Sequence, residues 1–205
     1  MDGVVFEPIK QNVIKSAREK YGSFEGNMLL ACYKLGLFNT HVSEKISEIV
    51  YRHTYNAEFM FGAKEALEVL AGAGRYVIEV CSKLAVGSYF TDARKAELIE
   101  KYKEMSPAME TIGTYNLLGQ SESKYLYYKM AQYVSRDRTD LMYSKTYAVD
   151  DSIENLTPQF GINNIYISKD RKKCSDVMRM QPEIECFGSL ADFVSHLNHQ
   201  GRLKK

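Results

Sequence analysis

No stretch of this chain approaches the ~20 consecutive apolar residues that a bilayer-crossing helix requires. No basic segment leads into an apolar one in the manner of an export signal. A membrane protein is therefore not expected. An excess of one charge is also lacking: Lys+Arg 27 against Asp+Glu 26 leaves a formal net charge of +1. The broad electrostatic footprint of a nucleic-acid-binding protein is absent. The four cysteines, Cys32, Cys81, Cys174 and Cys186, fit no CxxC or metal-type spacing. They read as reduced thiols without disulfides, which is the expectation for a cytoplasmic protein. His41, His53, His196 and His199 likewise have no zinc-ligand spacing. Internal repeats and low-complexity segments are missing.

What is present is ordinary in bulk. With 205 residues, 45% hydrophobic and 26% charged, the chain is long enough for one substantial core, or a core with a smaller insertion. From Pro8 to about Phe59 the pattern is helical. Pro8 suits a first turn, Ile9, Val13 and Ala17 share a face, and Gly22 is a stop. A second helix is expected over Phe24 to Leu35, and a third from near Ser43, with Ile46, Ile49, Val50 and His53 on one side.

After Phe61-Gly62 the rhythm alternates. A helix bearing Ala63, Ala66, Leu67 and Leu70 stops in Gly72-Ala73-Gly74, and Tyr76–Cys81 reads as a strand. Helix Thr91–Lys103 precedes strand Glu110–Leu118. Helix Ser123–Val134 then leads to strand Lys145–Val149, and helix Ile153–Phe160 to strand Ile162–Ile167. Strand Glu183–Phe187 and a helix capped by Ser189, with Leu190, Phe193, Val194 and Leu197 inward, finish the chain. Alternation of this kind predicts an α/β fold, a parallel sheet flanked by helices. In such sheets ligands bind at the carboxyl ends of the strands.

The sharpest cluster is Tyr147-Ala148-Val149-Asp150-Asp151-Ser152-Ile153-Glu154-Asn155. A buried strand ends abruptly in two carboxylates. Adjacent carboxylates repel, a cost tolerated mainly where a cation or a Lys neutralises them. Hard oxygen ligands at a pocket mouth suit Mg²⁺. Capping of a following helix by Asp150 and Asp151 is the plainer alternative, and both stand on the sequence alone. Ser82, after Cys81 at a strand end, can present its hydroxyl and neighbouring N–H groups to a phosphate oxygen, or be a plain turn serine. Lys124, opening a helix, can neutralise a phosphate or be a solvated lysine. Asp2, beside Gly3, can give and take a proton at a leaving oxygen, or be an exposed terminal residue. Glu79 places a charge inside an expected buried strand without an evident partner.

In order along the chain, Asp-Gly, a strand ending in Ser, a Lys before a helix and a strand ending in Asp-Asp-x-x-x-Asn resemble the haloacid dehalogenase superfamily. The resemblance covers essentially the whole chain. It implies a Rossmann-like α/β core over 1–9 and 60–205, with a small helical cap over 10–59. Met1-Asp2-Gly3-Val4 matches the end of the family's first motif, Asp-x-Asp-Gly, which makes Asp2 the general acid/base. The spacing places the nucleophilic aspartate directly before Met1. The strand carrying it normally lies mid-sheet, between the strands ending at Ser82 and Asp150.

By the same resemblance Ser82 holds the phosphate, and Lys124 fits the third motif and binds the phosphate. Asp151 is then the direct Mg²⁺ ligand, with Asp150 beside it and Asn155 supporting. The implied activity is Mg²⁺-dependent hydrolysis of a small phosphorylated metabolite through an aspartyl-phosphate, with the chain from Met1 inactive. A non-catalytic phosphate-binding or protein-interaction protein of the same fold is the competing expectation. A receiver-like signalling domain fits less well, because its acidic pair follows the first strand. Substrate identity and oligomeric state are not encoded in any motif found.

Overall fold

The computed structural model describes residues 4–34, 40–73, 79–83, 91–106, 108, 114–118, 146–156 and 162–203. Among them the fold is mixed α/β. Three helices come first: α1 (Lys10–Tyr21), α2 (Ser23–Lys34) and α3 (Thr40–Tyr55). They pack on one another, and their closest approach has a sequence cause. A Cβ added at Gly26 of α2 would stand 2.8 Å from the Ala17 carbonyl oxygen of α1, so glycine sets how near the two helices come. Gly22 separates them at a φ of 80°, as its reading as a stop requires. Helix α3 begins at Thr40, ahead of the expected Ser43, and buries Ile46, Ile49 and Val50.

The chain enters and leaves this trio at one place. Phe6 and Phe59 form an antiparallel bridge, Met60 N donates to Val5 O at 2.9 Å, and the two rings stack at 5.0 Å. Helix α4 (Ala63–Gly72) follows, then β1 (Glu79–Lys83), α5 (Asp92–Met105), β2 (Thr114–Leu118), β3 (Thr146–Asp150), a 3-10 turn (Ile153–Asn155), β4 (Ile162–Ile167), α6 (Arg171–Met180), β5 (Ile184–Phe187) and α7 (Leu190–His199). All described strand pairs are parallel. They form two separate ladders, β1–β2 and β3–β4–β5.

The β3–β4–β5 ladder shows the period of two that sorts its faces. Tyr147, Val149, Ile165, Ile167 and Phe187 point into the larger core cluster, which α4 and α7 complete with Leu67, Leu70, Phe193, Val194 and Leu197. Ala148, Tyr166 and Ile184 point the other way, into a smaller cluster closed by Val177 of α6 and Leu156. Helix α7 is capped as expected, with Ser189 Oγ accepting from Asp192 N at 3.1 Å.

Strand β1 runs to Lys83, two residues past the expected Cys81, with Ser82 near its carboxyl end, in register with Leu117. Three expectations are corrected. Where a helix is expected over Ile153–Phe160, Ile153–Asn155 form a 3-10 turn and Leu156 lies beyond it outside any helix, while 157–160 lie outside the described residues. Helix α6, between β4 and β5, was not expected. Its start is set by Asp170, whose Oδ1 accepts from Lys172 N at 3.0 Å and Lys173 N at 3.1 Å. Finally, Cys174 of α6 and Cys186 of β5 are joined in a disulfide, with their Cα atoms 5.7 Å apart. Packing the helix on the strand brings these two thiols together, a proximity that a separation of 12 residues does not announce. The expected helix Ser123–Val134 lies outside the described residues.

Candidate functional site

Strand β3 delivers its last residue, Asp150, to the carboxyl edge of a parallel ladder, on the α6 side. Asp150 is only 2% exposed. The chain folds back over it: Ser152 N donates to Asp150 Oδ1 at 3.0 Å, and Asn155 Nδ2 donates to the same oxygen at 3.0 Å. The 3-10 turn closes through Asn155 N to Ser152 O at 3.1 Å and Leu156 N to Ile153 O at 3.0 Å. Leu156, 1% exposed, pins the far end into the smaller cluster. Ser152 Oγ donates to Glu154 Oε2 at 2.9 Å on the outer side. A buried carboxylate thus organises its own turn, and the half-buried Asp151 stands next to it.

Sequence reasoning missed the other half of this neighbourhood. Tyr166, 1% exposed, pairs in register with Asp150. Lys173 comes from the first turn of α6 and holds its Nζ 5.5 Å from the centre of the Tyr166 ring. A hydrogen bond with Tyr166 raises the Lys173 ammonium above the ordinary lysine range. Electrostatic interaction with Tyr166 adds to this, burial opposes it, and the Asp151 and Asp170 carboxylates contribute further. A cation therefore stands over Tyr166, the residue in register with Asp150, contributed by a helix that the sequence reading does not include. The sequence signals of that helix are the Asp170 cap and the helical spacing of Cys174, Val177 and Met178.

Of the six residues singled out from sequence, the structure brings Asp150, Asp151 and Asn155 together. Asp2 and Lys124 lie outside the described residues, and of Ser82 only the backbone, paired in β1, is described. Two adjacent carboxylates at a strand end, with one oxygen held by two donors, are a donor set that suits Mg²⁺, which takes one or two protein carboxylates and keeps several waters. Among the described residues no three His, Cys, Asp or Glu side chains converge as a metal site.

A second polar pair lies in the helical trio. Ser16 Oγ of α1 is 2.9 Å from His53 Nε2 of α3. Burial, and then the charge of Arg52, hold the His53 imidazole below its usual range. No described helix is long and apolar enough to cross a membrane. Compared with known proteins, the chain matches no family model, no curated protein and no solved structure.

Proposed function

We propose that the chain is the Rossmann-like core and helical cap of a Mg²⁺-dependent phosphohydrolase of the haloacid dehalogenase type, acting on a small phosphorylated metabolite. The observation that carries this reading is the Asp150–Asn155 turn. It sets a buried, doubly hydrogen-bonded carboxylate and an adjacent second one at the end of a parallel strand. One further feature supports it. The Phe6–Phe59 bridge returns the chain to its point of entry after the three helices, as an inserted cap requires.

In this reading Asp151 and Asp150 hold the cation and Asn155 keeps Asp150 oriented. When bound, Mg²⁺ supplies positive charge that offsets repulsion between a carboxylate nucleophile and the phosphate. Ser82 and Lys124 hold the phosphate oxygens. Asp2 gives its proton to the leaving oxygen as the nucleophile's bond to phosphorus forms and the ester bond breaks. It then takes a proton from the water that hydrolyses the aspartyl-phosphate.

Turnover of p-nitrophenyl phosphate by the protein carrying the complete first motif, and by its Asp151→Asn variant, tests the assignment. Mg²⁺-dependent turnover that the variant loses is the expected result. Equal turnover in both, or turnover indifferent to Mg²⁺, would overturn the role given to Asp151. Phosphate binding without turnover in either would favour a non-catalytic phosphate-binding protein.

A further inference from the structure

We propose that Cys174 and Cys186 form a redox-active dithiol–disulfide pair that sets the position of the first turn of α6, and with it Lys173, over the Asp150–Asp151 turn. Asp150 of β3 pairs with Tyr166 of β4, which pairs with Cys186 of β5, and residues in register across parallel strands face the same side. A single row therefore runs from the candidate site to the disulfide. Helix α6 lies along that face, and Cys174 is its fourth residue. Lys173, immediately before it, reaches over the ring of Tyr166, the middle residue of the row.

The hold of α6 on the sheet is thin apart from this bridge. Val177 is its one buried residue, while Met178 and Met180 are exposed. The covalent tie is thus a large part of what keeps the helix start in place. Both cysteines are half-buried and packed at the edge of the smaller cluster, so a small thiol can reach them. Opening takes two equivalents of such a thiol. The first thiolate attacks one cysteine sulfur, forming a mixed disulfide and releasing the other cysteine as a thiolate that takes a proton. The second thiolate attacks the mixed disulfide, leaving with the first as a low-molecular-weight disulfide and freeing the second cysteine, which is protonated in turn. The protein disulfide is reduced and two thiols are oxidised. Freed of the bridge, α6 is held by Val177 and its cap, and Lys173 is no longer fixed over Tyr166, the residue in register with Asp150. The functional consequence rests on the reading of that turn as a Mg²⁺ site; the latch itself does not.

The test uses the full chain poised in glutathione redox buffers, with the disulfide state read by alkylation and mass spectrometry. Hydrogen exchange is followed over 150–156 and 171–177, and Mg²⁺ binding is titrated on the same samples. The expected result is reversible reduction with the chain folded. Amides in both segments should exchange at least about tenfold faster in the reduced form. The Cys174→Ser/Cys186→Ser variant should match the reduced form and ignore the buffer. Lys173→Met in the oxidised chain should loosen 150–156 while leaving 171–177 protected, which a merely structural bridge does not predict. Identical exchange of 150–156 in both redox states, or no response there to Lys173→Met, would overturn the latch. Reduction only on unfolding would do the same. Altered exchange without Mg²⁺ binding in either state would support the latch and count against the metal reading.

Discussion

Replacing Asp150 separates what its carboxylate does for the fold from what it does for a cation. Asp150→Ala strands the Ser152 amide and the Asn155 side-chain amide, both of which donate to Oδ1 in a site 2% exposed. Hydrogen bonds to a charged group contribute about 1.5–3 kcal/mol each. Because the two share one oxygen they are not additive, so a loss of about 2–4 kcal/mol is expected. For a chain of this size that is a fall in Tm of roughly 4–16 °C. Asp150→Asn keeps the accepting oxygen and removes only the charge, so about 1 kcal/mol is lost. Its Mg²⁺ affinity, however, should fall by more than about tenfold, because one of two anionic ligands is gone. Urea denaturation and Mg²⁺ calorimetry on the three proteins measure both quantities. An Asp150→Asn chain that binds Mg²⁺ as the parent does would refute the ligand role. An Asp150→Ala chain as stable as the parent would refute the turn's dependence on that carboxylate.

Three further outcomes follow from the packing and the charges. Phe193 is 3% exposed and lies against the rings of Tyr147 and Phe187, so Phe193→Ala should cost about 3–5 kcal/mol in urea denaturation. Gly26→Ala places a Cβ 2.8 Å from the Ala17 carbonyl, so an overpacking cost of about 1–3 kcal/mol should exceed the ~1 kcal/mol gain in helix propensity; a more stable variant would contradict that contact. His53 is held below the ordinary value of 6.5, so the unfolded chain takes up its proton first. Its contribution is present above that value and is lost as pH falls through the folded pKa. An NMR titration should give a His53 midpoint below that of an unfolded peptide, with stability declining on the acid side.

Legibility in the sequence tracked how much of an element's identity is carried by its own residues. Helix α7 was readable because Ser189 caps it and Leu190, Phe193, Val194 and Leu197 repeat at helical spacing. Strand β4 was readable because Ile162, Ile165, Tyr166 and Ile167 give a short run of β-branched and aromatic residues that reach both clusters. Helix α6 was not, because its apolar positions, Cys174, Val177 and Met178, are few and stand among charged residues. The disulfide was hidden for the same reason, since it exists only once α6 lies on β5. At the candidate site the Asp150-Asp151 pair and Asn155 were legible as a motif. Lys173 was not, because it reaches the turn from a different element across Tyr166.

The central claim is that a divalent cation binds at the Asp150–Asp151 turn, and paramagnetic Mn²⁺ substituting for Mg²⁺ tests it most directly. In NMR spectra of the chain titrated with Mn²⁺, resonances of Asp150, Asp151, Ser152 and Asn155 should broaden first, and excess Mg²⁺ should restore them. Broadening centred on another carboxylate cluster, or none at this turn, would contradict the account.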